Sequence, residues 1–349
     1  MTDADQAGFP WGNNDPTRLQ RALVGAFIAS VASALHFFRA VENGGRSDFA
    51  PVWHAGRLLL DGQNPYLLIG PGNVVESAWP MFYPATTFVF AIPFAMIPSF
   101  HAASTVFVFL SAFLLVYGAT ARSWHLLPMF PSIAFLTSAT LAQWSILMTA
   151  AIYVPWLNFF AAAKPQSALP VLGSTPKPRV YVFALAGAAV LLALSFALLP
   201  TWPRDWWRLL GTTDNFVPPV MRFGGPVILL VLLLWRRPEA WLVLIAACMP
   251  QTWPPYNGLM LMAVAMTYRE ACFLSLVSSF AWAAFAWHFD GLSFDQERTI
   301  MSAVLNLSGY IPATILILRR PNEGKSPVWI QWLTRAIQSR QPPGDTRSR

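Results

Sequence analysis

A polar stretch, GGRSDFAPVWHAGRLLLDGQNPY (residues 44–66), lies between two long apolar parts of the chain. Its aspartate, Asp48, precedes a histidine and an arginine, His54 and Arg57, which share one face of a predicted helix because they are three residues apart. An arginine can bind a phosphate through two parallel hydrogen bonds, and an aspartate can act as general base on a nearby sugar hydroxyl. These residue types suit acid–base chemistry on a phosphorylated substrate held at a membrane surface.

Each of these side chains also has an ordinary structural interpretation. Asp48 can cap the start of a short helix predicted over residues 51–60. We expect this helix to lie on the membrane surface. Arg57 can pair with Asp61 one turn later, and His54 suits packing at the interface better than it suits a base.

Four residues outside that helix are further candidates for binding a substrate. Arg222 can bind a phosphate, or it can extend its charge to the membrane interface as many arginines do. Lys164 marks a helix end if it faces the cytoplasm, but it binds a phosphate if it lies in a cavity, because cations inside a membrane are costly. Tyr66 and Tyr83 can contact a sugar or anchor the chain at the interface.

The composition indicates an integral membrane protein. The chain has 349 residues, of which 55% are hydrophobic and only 11% are charged, whereas a soluble domain carries about 25% charged residues. The net charge of +7 lies mostly in short loops and the C-terminal tail, so it indicates topology and not nucleic-acid binding. Cys248 and Cys272 lie in apolar runs, and no spacing suggests a metal site.

The apolar runs predict an all-α polytopic membrane protein with about nine to eleven transmembrane helices. One transmembrane domain covers residues 19–320 and contains the first extracytoplasmic loop, 41–85. The distribution of Lys and Arg places residues 1–18 and the basic tail 321–349 in the cytoplasm. We expect this tail and the interfacial aromatic residues to contact membrane lipid.

One part of this topology is inconsistent. If Arg18 and Arg179 both face the cytoplasm, an even number of crossings must separate them, yet the simplest count is odd. The apolar run 126–163 is too long for one simple helix and contains several prolines. Either a broken or re-entrant helix removes one crossing there, or Lys164 faces outward.

Several short motifs occur in an order that resembles a known enzyme family. They are Ser47-Asp48-Phe49, Trp53-His54-Ala55-Gly56-Arg57, Asn64-Pro65-Tyr66, Tyr83-Pro84, Gln143-Trp144-Ser145, Ala163-Lys164-Pro165 and Pro250-Gln251-Thr252-Trp253. Over roughly residues 20–320 the chain resembles the polyprenol-phosphate-mannose-dependent glycosyltransferases of family 87, which are integral membrane enzymes. Ala142 stands where the family's Gly-Gln segment has glycine.

The resemblance implies a GT-C-like fold and transfer of a sugar from a polyprenyl-phosphate donor to a lipid or glycan acceptor. Transfer takes place on the extracytoplasmic face of the cytoplasmic membrane, with inversion at the anomeric carbon. Asp48 is the implied general base, no metal or other cofactor is expected, and a cation stabilises the departing phosphate. Mannose is favoured by the resemblance alone. The substrate-binding and phosphate-binding candidates are Arg57, Arg222, Lys164, His54, Tyr66 and Tyr83.

Two other functions compete with this interpretation. The short chain is compatible with a noncatalytic scaffold or assembly subunit derived from the same fold. A secondary transporter predicts internal repeats and ionisable residues at mid-membrane depth, and the sequence has no evident repeat and few such residues. The transporter is therefore the weaker alternative.

Overall fold

Helices form nearly all of the regular structure in the computed structural model, which describes residues 15–45, 47–212, 217–250, 258–286 and 291–339. The α-helices are α1 (Arg18–Glu42), α2 (Ala50–Leu60), α3 (Pro65–Leu68), α4 (Ala85–Ala95), α5 (Phe100–Ala119), α6 (Ile133–Thr140), α7 (Trp144–Tyr153), α8 (Pro165–Ser174), α9 (Pro178–Leu198), α10 (Trp202–Leu210), α11 (Pro238–Cys248), α12 (Gly258–Leu261), α13 (Tyr268–Ala286), α14 (Phe294–Leu305), α15 (Ile311–Leu318) and α16 (Val328–Gln338). The prediction of an all-α protein is confirmed, apart from the two short strands described below.

Shorter irregular elements connect these helices. Tight 3-10 helices cover Leu127–Met129, Pro155–Ala163, Pro219–Met221, Gly225–Leu234 and Met262–Val264, and a π-helix covers Asn306–Tyr310. Two parallel strands, β1 (Ile69–Gly70) and β2 (Val75–Glu76), form a small pairing inside the predicted first loop. These strands were not predicted, because a two-residue strand is too short to show the alternation of apolar and polar residues.

Four helical segments are long and apolar enough to cross a membrane: α1, α5, α9 and the continuous stretch Asp295–Leu318. α4, α7, α11 and the 3-10 helix at 225–234 are shorter apolar segments. A crossing needs about 20 predominantly apolar residues. The described part of the chain is thus that of an all-α membrane protein, while the number of crossings predicted from the sequence remains a prediction.

α1 and α5 pack antiparallel and define two ends of the molecule. A capping box of Thr17 and Gln20 starts α1. One turn later, Arg21 donates from Nε to the carbonyl oxygen of Tyr117, near the end of α5, at 3.1 Å. At the other end of α1, the Phe37 ring lies 6.3 Å from the His101 ring near the start of α5. We call the end that contains Arg21 the basic end. We call the opposite end the Asp48 end, because Asp48 lies in the connection that follows α1.

The C-terminal part of the chain also reaches the basic end. Trp329 of α16 donates from Nε1 to the carbonyl oxygen of Gly173 at 2.8 Å, just before the start of α9. Lys177 there lies within electrostatic range of Arg122, which follows α5, and of Arg179. Connections between helices that carry Lys or Arg and are far apart in the sequence therefore lie at the same end of the molecule.

A buried ion-pair network joins α15 to α11 and α13 at the basic end. Arg320 contacts Glu270 at 2.6 Å and Glu239 at 3.2 Å, and Arg237 contacts Glu239 at 2.6 Å. These side chains are all largely buried, so each charge has a partner that offsets its desolvation. The segment 225–234 and the stretch 295–318 both end beside this network, so their other ends point away from the basic end.

The long apolar run 126–163 is broken, which is one of the two alternatives that the sequence left open. It divides into the 3-10 helix at 127–129, α6, α7 and a second 3-10 helix at 155–163. The break between α6 and α7 contains Ala142, whose φ of 50° lies in the left-handed region that favours glycine. After the last break, Lys164 is only 5% exposed. The lysine is thus enclosed by the chain, while its predicted position in a substrate cavity stays a prediction.

α2 matches the short helix predicted over residues 51–60, but it packs more deeply than a surface helix. Trp53 is 6% exposed, and its Nε1 donates to the carbonyl oxygen of Phe94 at 3.1 Å. A Cβ added at Gly56 would lie 2.9 Å from the Cβ of Ala95, so glycine allows α2 and α4 to approach closely. α2 therefore buries one face against α4, and its predicted position at the membrane surface stays a prediction.

Candidate functional site

The buried Lys164 meets two half-buried residues, Tyr83 and Asp48. The Lys164 ammonium donates from Nζ to the Tyr83 hydroxyl at 3.0 Å and lies 4.4 Å from the centre of the Tyr83 ring. The charge of Asp48 acts on both of these groups. The structure therefore brings together three of the seven predicted site residues, one from each of three separate segments.

Burial and the Asp48 carboxylate act in opposite directions on the Lys164 ammonium. Burial lowers the pKa of Lys164 to about 8, and the nearby Asp48 charge limits this decrease. Burial also raises the pKa of the Tyr83 hydroxyl, and Asp48 raises it further. Tyr83 therefore stays a neutral hydroxyl near pH 7, whereas Lys164 changes its charge within reach of physiological pH.

Asp48 is not a helix cap. The N-cap of α2 is Phe49, and no side-chain hydrogen bond caps this helix, so that predicted structural role is wrong. The backbone N–H of Asp48 instead donates to the carbonyl oxygen of Leu141 at 3.0 Å. The turn between α6 and α7, which contains Ala142, thus holds the backbone that carries the carboxylate.

Tyr66 positions the backbone of Tyr83. The buried Tyr66 hydroxyl donates to the carbonyl oxygen of Tyr83 at 2.9 Å, and its ring lies 5.1 Å from Phe88. Burial raises the pKa of Tyr66, so its hydroxyl remains a donor. Trp206 of α10 donates from Nε1 to the neighbouring carbonyl oxygen of Phe82 at 2.8 Å. Tyr66 therefore acts through Tyr83, and its predicted contact with a sugar remains a prediction.

α10 also binds the start of α3. Asn64 caps α3 and donates from Nδ2 to Asp205 at 2.8 Å, and the Thr201 hydroxyl donates to the same carboxylate oxygen at 2.8 Å. The aromatic segment after α9 and the predicted first loop therefore share one end of the molecule.

Two threonines fix the backbone that leads to Lys164. Thr86 and Thr87, in the first turn of α4, donate through their hydroxyls to the carbonyl oxygens of Ala162 and Ala163. These carbonyls end a 3-10 helix and have no partner from a continuing helix turn, so the threonines satisfy them. These contacts hold Tyr83 close to Lys164, because α4 begins two residues after Tyr83.

A group of buried polar atoms in α1, in the start of α5 and around residues 47 and 143 was not predicted from the sequence. His36 of α1 contacts the carbonyl oxygen of Thr140 through Nδ1 at 3.0 Å, one residue before the carbonyl that binds Asp48. Buried atoms without a hydrogen-bond partner within the described ranges include His36 Nε2, Arg39 Nη1, His101 Nδ1, Ser47 Oγ and Gln143 Nε2. Such atoms are rare in folded proteins. Ser47 and Gln143 carried a signal in the sequence, through their motifs.

Arg57 and His54 lie away from the Lys164 group. Arg57 is exposed; its guanidinium lies 5.2 Å from the centre of a Trp53 ring, with a long 3.5 Å contact to the carbonyl oxygen of Ala95. No ion pair with Asp61 occurs among the described residues, so the predicted pairing is wrong. The His54 ring packs edge-on against Trp53, 4.9 Å away, and burial lowers its pKa.

Arg222 belongs to a different part of the Asp48 end. It donates from Nη1 to the Ser302 hydroxyl at 2.6 Å and from Nε to the carbonyl oxygen of Val217 at 3.1 Å. Neither partner belongs to the Lys164 group. Residues 251–253 of the Pro-x-x-Trp motif lie outside the described residues.

No group of three metal-binding side chains comes together in the part of the chain that the structure describes. The expectation that no cofactor is needed remains a prediction. Comparisons of the chain with protein-family models, with curated proteins and with solved structures found no match. The functional assignment therefore depends on the chemistry of the site and on the motif order.

Proposed function

We propose that the chain is a GT-C-like membrane glycosyltransferase that moves a sugar from polyprenyl phosphate to a lipid or glycan acceptor. The observation that carries the proposal is the group of Asp48, Tyr83 and Lys164, in which a carboxylate acts on a buried ammonium across three segments. A base for the acceptor and a cation for the departing phosphate are the two charges that this transfer requires.

In the proposed reaction, the acceptor hydroxyl attacks the anomeric carbon and gives its proton to Asp48. The bond from that carbon to the phosphate oxygen breaks on the opposite face of the sugar, and its electron pair stays on the lipid phosphate. The Lys164 ammonium stabilises this added negative charge, and Tyr83 orients the ammonium. One direct displacement inverts the configuration, and no redox partner is required.

The arrangement of the two ends supports an extracytoplasmic site. Arg21, Lys177 and Arg320 belong to the basic end, whereas Asp48 follows the opposite end of α1. Short connections that are rich in Lys and Arg favour the cytoplasmic side of a membrane. The proposed orientation therefore puts both termini in the cytoplasm and the Asp48 group on the outer side, where polyprenyl-linked donors present their sugar.

Sugar transfer in reconstituted membranes tests the proposal. The donor is labelled polyprenyl-phosphate mannose, the acceptors are native lipids and glycans, and Asp48→Asn is compared with the wild type. We expect Asp48→Asn to reduce transfer by roughly a hundredfold or more, because general base catalysis contributes at least this much. Asp61→Asn is the matched control, since Asp61 is an exposed carboxylate in the same predicted loop.

The possible results separate the competing functions. Equal transfer by the wild type and by Asp48→Asn would show that Asp48 is not the base. If the folded wild type transfers none of a panel of polyprenyl-phosphate sugars, the noncatalytic scaffold becomes the better explanation. Transfer of another sugar in place of mannose would retain the enzyme and correct its donor.

A further inference from the structure

Two arginines lie side by side at the Asp48 end, outside the Lys164 group. Arg222 follows the 3-10 helix at 219–221, and Arg298 lies in α14, one helical turn before Ser302. Arg222 Nη1 donates to Ser302 Oγ at 2.6 Å, and Ser302 Oγ donates to the carbonyl oxygen of Arg298 at 2.6 Å. Ser302 therefore connects the two residues directly.

The backbone around Arg222 is fixed on both sides. Asn306 donates from Nδ2 to the carbonyl oxygens of Pro219, at 3.0 Å, and of Phe223, at 2.8 Å. Asn306 is fully buried and begins the π-helix that interrupts the stretch 295–318. A π-turn within an α-helix often marks a functional site. The arginine thus occupies a defined position and does not belong to a loose surface loop.

The pair has more hydrogen-bond donors than the surrounding protein satisfies. Arg222 Nη2, Arg298 Nε and Arg298 Nη1 are buried without a hydrogen-bond partner among the described residues. The one carboxylate that contacts the pair there is Asp295, 3.2 Å from Arg298, and this side chain is 76% exposed. An ion pair to so exposed a carboxylate contributes little.

The two positive charges also repel each other. Burial lowers the pKa of Arg222, and the charge of Arg298 lowers it further. The Arg298 side chain is 13% exposed, so water screens this repulsion poorly. A bound anion removes both the repulsion and the unsatisfied donors, and the planar guanidinium fork matches phosphate oxygens.

Apolar side chains frame the pair on the outer surface. Met221 and Phe223, on either side of Arg222, are 75% and 73% exposed, and Ile300 and Leu307 on the neighbouring helix are also exposed. In a membrane protein, such side chains contact acyl chains. A ligand that joins phosphate to acyl chains fits this surface better than a free ion does.

We infer that Arg222 and Arg298 together bind the phosphate of a lipid headgroup, at a site separate from Lys164. The inference needs only a membrane-embedded chain and the geometry of this pair, so it stands whether or not the protein transfers sugar. A phosphomonoester such as phosphatidic acid is the preferred ligand, because it offers more negative charge and more free oxygens than a diester.

Thermal unfolding of the full chain tests the inference. The protein is reconstituted in phosphatidylcholine alone, with added phosphatidic acid or with added phosphatidylglycerol. A detergent sample with inorganic phosphate at matched ionic strength provides the free-ion arm. We expect phosphatidic acid to raise the Tm of the wild type most, because a ligand that binds only the folded state stabilises it. Arg222→Gln and Arg298→Gln should each lower the affinity roughly ten- to a hundredfold.

Controls distinguish a ligand site from a structural role. Arg208→Gln should keep the full lipid effect, since Arg208 is an exposed arginine at the same end. In phosphatidylcholine alone, Arg298→Gln should unfold at the wild-type temperature or higher, because it removes a like-charge repulsion. Arg298→Lys keeps the charge without the fork and should show a reduced lipid effect even if Arg298→Gln fails to fold.

Three results would count against the inference. A lower Tm for both glutamine variants in phosphatidylcholine alone would assign the pair to a structural contact within the chain. An undiminished effect of phosphatidic acid in both variants would place the lipid elsewhere. An equal rise with inorganic phosphate in detergent would retain the phosphate site but overturn its assignment to a lipid.

Discussion

The Lys164 ammonium donates to the Tyr83 hydroxyl at 3.0 Å. Tyr83 precedes the broken apolar run 126–163, and Lys164 follows it directly. The hydroxyl offers an acceptor where burial disfavours the lysine charge, and Asp48 supplies a compensating negative charge. The ammonium is thus kept charged near neutral pH but close to losing its proton.

Sugar transfer should fall as the pH rises through about 8, the value to which burial lowers the pKa of Lys164. Above this pH the lysine is neutral in the folded state and no longer stabilises a phosphate. Lys164→Arg should keep transfer active at higher pH if the longer side chain is accommodated, because arginine does not lose its proton in this range. The measurement is the pH profile of transfer at saturating donor.

Stability should change in the opposite direction over the same pH range. The folded-state pKa of Lys164 is below its ordinary value of 10.5, so the unfolded chain binds more protons between about 8 and 10.5. Stability therefore rises with pH in this window. Lys164→Met should remove the fall of transfer and the rise of stability that titration of Lys164 causes. The measurements are the pH profile of transfer and unfolding curves over the same pH range. Unchanged pH dependences in this variant would exclude Lys164 as their source.

Tyr83→Phe should weaken the charged form of Lys164. The variant retains the ring beside the ammonium and removes only the accepted hydrogen bond, worth about 1.5–3 kcal/mol for a charged donor. We expect the alkaline limb of the pH profile to move to lower pH and transfer to decrease. Tyr66→Phe is the matched control. It removes a hydrogen bond to the Tyr83 backbone and should lower transfer without moving the limb.

Ala142→Gly should cost less stability than the same substitution at Ala139. Both alanines are fully buried, but Ala142 has a φ of 50° and Ala139 lies inside α6. Glycine relieves the left-handed strain at the first position and weakens a helix at the second, a combined difference of about 2 kcal/mol. Unfolding midpoints of the two variants in one detergent give the comparison. Equal losses would show that Ala142 is not strained.

Gly187→Ala should destabilise the protein and reduce transfer. A Cβ at Gly187 would lie 1.7 Å from the carbonyl oxygen of Phe159, a backbone atom that cannot rotate away. α9 would have to move from the 3-10 helix that ends before Lys164, and such overpacking costs about 1–3 kcal/mol. Gly211→Ala is the control, because its Cβ would meet the nearest atom at 3.6 Å. If the Gly187→Ala variant unfolds at the same temperature as the wild type, this packing is contradicted.

The sequence predicted the parts of the structure that depend on local pattern. The apolar runs, the helix at 51–60 and the break within 126–163 are readable because hydrophobic periodicity and proline act over a few residues. For Lys164 the sequence left two alternatives open, a helix end that faces the cytoplasm and a position in a cavity. The threonines of α4 hold the chain just ahead of the lysine, and no local pattern predicts this contact between distant segments.

The rest depends on register between helices, which local patterns do not contain. His36 and His101 look like ordinary residues of apolar helices until the antiparallel packing of α1 and α5 brings them beside Asp48. Arg298 follows a capping box and an aspartate, the pattern of a solvated helix start. Its proximity to Arg222 becomes visible only when α14 packs against the segment after α10.

Burial of Lys164 against Tyr83 also has a consequence for biosynthesis. A ribosome releases Asp48 and Tyr83 long before Lys164, so the proposed site stays incomplete until the broken run has entered the membrane. Until then the hydroxyls of Thr86 and Thr87 lack the carbonyl oxygens of Ala162 and Ala163 as acceptors. The order in which the segments insert is therefore part of how the proposed site is made.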